Sequence, residues 1–481
     1  MRRFSVYDSL HRGVRLFVPI HPPRVGLFVC GLTPYADAHI GHARTAVTFD
    51  VVARAIRYWG YRLFYVQNVT NLDDHLVDKG AELGVGPLEL AERKFAEFRR
   101  SLDELGVRSV DLYPFATDYL AEILTQIRTL VDRGFAYPAE GSVYYEVAKF
   151  PNYGKLSGQR REEQRPGTRV EVEPGKRAPE DFVIWKAARP GEPSWESPWG
   201  PGRPGWHIED TAITERLLGA RYDLHGGGLE LKFPHHEGEI ALAEAATGQS
   251  PLVNYWMHAG LLTLKGEKMA KSLGNVVPLA AALEQYGAET LRFFFVNAHY
   301  RSPLDFEAGK SLEEAAEALD RLRRPLERLR AARSGRGGRA GGADLHGKVE
   351  LEAVEVLEKL DAALADDFNT REAVAQLYLW GRRVTEVAPA PDELSSAALD
   401  SLEAPYAWAA EVLGLFGAPP APSDRSLDGA VEVALAARRR ARARGDFAES
   451  DRIRAELRDA GIEVEDEGER TRWRRRAPDR A

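Results

Sequence analysis

Apolar residues near the N-terminus change period within a short distance. Val25, Leu27, Phe28 and Val29 make the compact run of a buried strand. After a turn expected at Cys30 and Gly31, Val47, Phe49, Val51, Val52, Ile56 and Tyr58 recur at helical spacing, and Trp59-Gly60 ends the segment. Leu63–Val69 predicts a second strand. Strand, helix and strand in this order predict a parallel pair joined by a right-handed crossover. Ligands of such sheets lie at the carboxyl ends of the strands, over the helix N-terminus, where backbone N–H groups and the helix dipole favour anions. His39-Ile40-Gly41-His42 occupies that spot. Two imidazoles that donate hydrogen bonds, with a glycine that allows close approach to the backbone, suit a polyphosphate.

Patterning organises the rest of the chain. Asn68–Asp74 is a polar loop over the expected site, and helical patterns continue to about Gly134. Between 135 and 200, Tyr137, Tyr144, Tyr145, Phe150 and Tyr153 alternate with Gly and Pro, predicting short strands inserted between two halves of a nucleotide-binding fold. The sheet is expected to resume near Arg203–Ile208. Asp223–Gly228 reads as a strand end entering a glycine turn, and Pro234–Ala246 as a helix with Pro in its first turn. Ser311 and Glu314 have the spacing of a capping box before a Leu/Arg-rich helix. Ser334–Asp344 reads as a linker, and Glu350–Leu364 and Glu372–Val384 as members of an antiparallel bundle. Ala418–Ser423 is a second linker, followed by charged helices at Leu427–Arg444 and Phe447–Ala460, a strand at Ile462–Val464 and a basic end. The domains expected are 1–310 with an insertion at about 115–202, 311–420, and 424–481.

Composition narrows the function. A chain of 481 residues can bury several cores. No apolar run approaches ~18 residues, so no membrane span is expected. Met1–Phe4 lacks the apolar core of a signal peptide. One cysteine excludes an internal disulfide and fits a reducing cytoplasm. A net charge of −8 excludes nucleic-acid binding through a uniform positive field and leaves local patches. Arg438, Arg439, Arg440, Arg442 and Arg444 form one. Arg472, Arg474, Arg475 and Arg476 around Trp473 form another, in which the ring can stack on an unpaired base.

Downstream, Lys268-Met269-Ala270-Lys271-Ser272 places two lysines three apart on a Gly/Ser-bounded loop suited to clamping phosphate. With His39–His42 it resembles the paired signatures of class I aminoacyl-tRNA synthetases, Ala270 standing for a serine. Phe28–Gly31, Ala38–Thr45, Gly205–Glu209, Asp223–Gly228, Phe233–Glu237, Tyr255–His258, Gly266–Asn275, Asp366–Thr370 and the Trp473 end resemble the cysteinyl-tRNA synthetase family in its own order. The resemblance implies an α/β fold: a Rossmann-type parallel-sheet catalytic domain with an inserted connective peptide, an α-helical bundle and a small C-terminal anticodon-binding domain. It implies activation of L-cysteine by ATP, carried with Mg2+, to cysteinyl-adenylate, and transfer to the 3′ end of tRNA(Cys) by a cytoplasmic monomer. His39, Gly41 and His42 would hold the triphosphate. Lys268 and Lys271 would cover its β- and γ-phosphates, with Lys271 acting on the leaving group.

His235 and Glu239 are four apart and project from one helix face. The resemblance implies that they join two cysteines around a zinc ion that binds the substrate thiolate. Cys30 matches the first cysteine, and the second falls on Asp210. Carboxylate is an acceptable zinc ligand, and Cys, Asp, Glu and neutral His carry the same formal charge as Cys, Cys, Glu and neutral His. The exchange makes the site harder and its hold on zinc weaker. Metal–sulfur affinity would separate cysteine from serine where shape cannot. Thr70, Trp206, His225 and Glu230 fall where the family holds cysteine. Glu230 replaces a usual Asp, Asn71 an Asp found often, and Gly238 a common Asn. Two other readings remain. One is a mycothiol-pathway ligase passing activated cysteine to an amino sugar, which lacks a tRNA-reading end. The other is a diverged paralog that binds tRNA or an aminoacyl ligand without charging it.

Overall fold

The computed structural model describes residues 1–159, 175–264, 266–268, 276–307, 309–334, 343–387, 394–417, 438, 447–459, 462–467 and 470–475. Its centre is a four-stranded parallel sheet in the order Val253–Ala259, Tyr222–Gly228, Arg24–Leu32, Arg62–Val69. The helix Ile40–Tyr58 makes the crossover from Arg24–Leu32 to Arg62–Val69, burying Ile40, Ala43, Val47, Val51 and Ile56 in the largest apolar core. The chain leaves Arg24–Leu32 towards one sheet edge and later returns to its other side as Tyr222–Gly228. The carboxyl ends of these two neighbouring strands therefore flank a topological switch point, where such sheets bind ligands.

The first strand does not stop at a turn through Cys30 and Gly31. It runs on to Leu32, with an irregular register between Val29 and Leu32. Gly31 is required there, because a Cβ would stand 1.8 Å from the Asn68 carbonyl oxygen. The inserted region contains an antiparallel sheet of Ala136–Ala139, Ser142–Tyr145, Phe182–Ala187 and Gly202–Pro204. Residues 203–208 therefore do not resume the parallel sheet. Gly202–Pro204 closes the inserted sheet, and Trp206–Leu217 is a helix starting after Gly205. Local periodicity could not separate these, since the segment is buried on nearly every side.

Beyond the parallel sheet, Ser311–Ser334, Ala343–Ala365, Thr370–Val387 and Ser396–Trp408 are helices whose apolar faces continue the main core. The capping box at Ser311 does not form. The helix already includes Ser311, whose hydroxyl accepts from Glu307 N while Glu314 N donates to Lys310 O. The chain folds as two compact units, Met1–Pro419 and Pro420–Ala481. Within the second unit, helix Phe447–Asp459 precedes an antiparallel pair, Ile462–Glu467 with Arg470–Arg475, which aligns Val464 with Trp473. Arg438 is buried there, so it does not belong to an exposed basic face. Among the described residues no helix is long and apolar enough to cross a membrane.

Candidate active site and metal centre

His39 caps the Ile40–Tyr58 helix. Its Nδ1 accepts from Gly41 N at 3.1 Å, and His42 Nδ1 accepts from His39 N at 3.2 Å. The two rings stack with centroids 3.8 Å apart. A neutral imidazole whose Nδ1 accepts carries its proton on Nε2, so both rings are set as donors on that nitrogen. The tight turn depends on Gly41, since a Cβ there would lie 2.9 Å from the His39 ring. This end of the helix is stitched to a distant segment: Ile40 N donates to Val277 O and Leu279 N to Ala38 O. Lys268 lies in the short strand Glu267–Lys268 with its side chain outside the described residues, and Lys271 lies wholly outside them.

The second cluster is buried at the switch point. The Arg24–Leu32 strand delivers Cys30, the Trp206–Leu217 helix delivers Asp210, and the His235–Thr247 helix delivers His235 and Glu239. Their ligand atoms all lie within 4.8 Å of one another, and none of the four residues is more than 6% exposed. Cys30 Sγ is 3.5 Å from Asp210 Oδ2 and 3.4 Å from Glu239 Oε1, while His235 Nε2 is 2.9 and 3.0 Å from those oxygens. A tetrahedral zinc site has sulfur–oxygen edges of about 3.5 Å and nitrogen–oxygen edges of about 3.3 Å. The donor set therefore fits zinc closely, with the sulfur edges matching and the histidine edges drawn in.

Electrostatics agree. Burial, then Glu239 and Asp210, push the Cys30 thiol well up. Burial lifts Glu239 to about 7 against the pull of His235. For His235, burial is outweighed by Glu239 and Asp210, leaving it at about 10. Two carboxylates and a thiol around one imidazole form a cation trap, in which a protonated His235 supplies the compensating charge.

Surrounding groups hold the donors in place. Asn68 accepts from Gly31 N at 2.7 Å and donates to Asp210 Oδ1 and, at 3.4 Å, to Thr70 Oγ1. His207 Nδ1 is 2.8 Å from His235 Nδ1, and the Trp206 ring stacks on His235 at 4.1 Å. His225 packs face-on to Trp256 at 4.2 Å, with Nε2 3.3 Å from Cys30 Sγ. Trp206 and His225 thus touch the cluster, and Thr70 reaches it through Asn68. Glu230 does not join it: its residue is exposed, in a short turn after the Tyr222–Gly228 strand, with its carboxyl against Gly228. Gly238 has a local reason, because a Cβ would stand 3.0 Å from the His207 ring. Sequence reasoning missed Asn68, His207, His236 and His258. Adjacent His235-His236 was the available signal for one of them. Two consecutive helix positions face different ways, so only the packing shows that both reach the cluster.

Comparison with known proteins shows the family. Residues 16–317 match the tRNA synthetases class I (C) catalytic domain, and residues 424–474 match the cysteinyl-tRNA ligase anticodon binding domain. A cysteine–tRNA ligase from Alkalilimnicola ehrlichii is 44% identical over 98% of this chain and 99% of its own length. One from Methylococcus capsulatus is 44% identical with the same coverage. Mycobacterium tuberculosis methionyl-tRNA synthetase in complex with methionyl-adenylate shares the fold at 17% identity, with a TM-score of 0.55 over 81% of this chain and 89% of that one. Identity of this extent, running through the catalytic and anticodon-binding regions together, means that the chain belongs to the cysteine–tRNA ligase family.

Proposed function

We propose that the chain activates L-cysteine at the Ile40–Tyr58 helix start and recognises its thiol through a metal held by Cys30, Asp210, His235 and Glu239. As a member of its family it is an ATP-dependent cysteine–tRNA ligase. The cysteine carboxylate attacks the α-phosphate of ATP and diphosphate leaves. A hydroxyl of the tRNA 3′-terminal ribose then attacks the acyl carbon, and AMP leaves. Such chemistry needs positioning and charge stabilisation more than covalent participation by the protein.

His39 and His42, with protons fixed on Nε2, bind and orient phosphate oxygens. Lys268 and Lys271 take the charge that grows on the departing diphosphate. Thr70 and His225 border the amino-acid pocket, and Trp206 covers its His235 side. What zinc supplies when bound is affinity for sulfur, which the hydroxyl of serine does not match. Asp210 keeps the formal charge of the ligand set, and Asn68 aims it by holding its other oxygen.

The observation that carries the proposal is the convergence of four buried donors from three separate chain segments, at spacings that fit one ion. Aminoacylation of tRNA with labelled cysteine and serine, alongside zinc analysis of the purified chain, tests it. Charging of cysteine alone, with about one zinc per chain, is expected. Absence of metal from the purified chain would overturn the metal reading, and equal use of serine would overturn its role in selecting cysteine. The match of residues 424–474 to an anticodon-binding family supports tRNA over an amino sugar as acceptor.

A further inference from the structure

Cys30 Sγ lies between two groups of donors. On one side are Asp210 and His235. On the other, His225 Nε2 is 3.3 Å away and His236 Nε2 3.1 Å. Glu239 serves both sides. Its Oε1 meets His235, while its Oε2 is 3.2 Å from His225 Nε2 and, lacking the angle for a bond there, has no hydrogen-bond partner among the described residues. Cys30, His225, His236 and Glu239 therefore make a second group whose ligand atoms lie within 4.8 Å of one another, all of them buried.

The imidazoles of this second group are held as metal-binding imidazoles are, with the remote ring nitrogen engaged and Nε2 aimed inward. His225 Nδ1 is 2.6 Å from Tyr222 Oη, and His236 Nδ1 is 2.9 Å from His258 Nε2. The latter bond is backed by His258 Nδ1 against Ser9 Oγ at 2.7 Å. Charge also favours the group. Once Asp210 is withdrawn, one thiolate, one carboxylate and two neutral imidazoles cancel a divalent cation, whereas with Asp210 present the site keeps one negative charge whichever set ligates. Uncompensated buried charge is costly.

We propose that His225 and His236 complete, with Cys30 and Glu239, a second ligand set for the same cation, which takes over when Asp210 is withdrawn. The inference rests on the metal reading above, and its test separates the two. Zinc content, zinc affinity by competition with a chromophoric chelator, and zinc-edge X-ray absorption are measured on the full chain and its variants. Asp210→Ala should keep its zinc and show two imidazoles per metal. Asp210→Ala/His235→Ala should still bind, while Asp210→Ala/His236→Ala should bind about tenfold more weakly or worse. Asp210→Ala/His225→Gln gives the same comparison should the His236 variant not fold. One imidazole in Asp210→Ala, loss of zinc from it while the unmutated chain keeps its own, or equal affinity of the His235 and His236 double variants would overturn the inference and leave the metal reading standing. No zinc in the unmutated chain would overturn both.

Discussion

Arg44 lies on the Ile40–Tyr58 helix two residues beyond His42, and its residue is 3% exposed. Its guanidinium donates to Leu261 O at 2.7 Å, to Ser302 O, and more distantly to Tyr300 O at 3.4 Å. Leu261 precedes the strand Leu262–Leu264, which leads to Lys268 and pairs with Leu304–Phe306. At the far end of the 269–275 segment, Pro278 bridges His39 and Leu279 N donates to Ala38 O. One helix start therefore anchors the chain on both sides of the lysine signature. Arg44→Met keeps the stem and removes the donors. Two good charge-assisted bonds are worth about 1.5–3 kcal/mol each. Relief of guanidinium burial, which already lowers the group to about 10 against the pull of Glu230, returns part of that. A net local loss of about 2–4 kcal/mol is expected. Native-state hydrogen exchange at the amides of Leu262–Leu264 and Leu279 should report that loss as a lower opening free energy. ATP–diphosphate exchange should show a raised KM for ATP with KM for cysteine little changed, and Arg44→Lys should restore part of both. Opening energies and ATP KM equal to the unmutated chain would refute the reasoning.

Three further outcomes are expected. Lys271→Ala should slow ATP–diphosphate exchange by about a hundredfold or more while cysteine binding, followed by calorimetry, changes little. Asp50 is buried and paired with Arg292 and Arg54. Burial alone would raise its carboxyl, but Arg292, Arg54 and Ser109 together hold it well below the usual 3.8. A depressed folded value means stabilisation that is complete above the unfolded value and lost as pH falls below it. Asp50→Asn should therefore cost about 3–5 kcal/mol at neutral pH by leaving Arg292 uncompensated, and denaturation curves should show the difference shrinking below about pH 4. Removing residues 425–481 should leave ATP–diphosphate exchange intact and abolish charging of tRNA, measured side by side.

The chain's own periodicities were enough for the first βαβ unit and for the helix bearing His235 and Glu239. Strand and helix patterns are local, and a spacing of four puts two side chains on one face wherever the helix is placed. The signatures at 39–42 and 268–272, with the flanking matches, carried the family. Local pattern carried the parallel sheet through residues 203–208, where Gly202–Pro204 instead closes the inserted sheet and the helix from Trp206, buried on nearly all sides, has no polar face to betray its period. The resemblance, not local pattern, grouped Glu230 with the cysteine pocket, and the structure leaves that residue exposed and outside the buried cluster. Sequence by itself determined which donors were available: one thiol, and an Asp at position 210 with Glu239 and paired histidines. Only the tertiary structure decided that Cys30 stands between two sets of them, and that Asn68 and Arg44 brace the site from remote segments. Those relations depend on strand order and helix packing, which join residues some two hundred positions apart and leave no trace in local spacing.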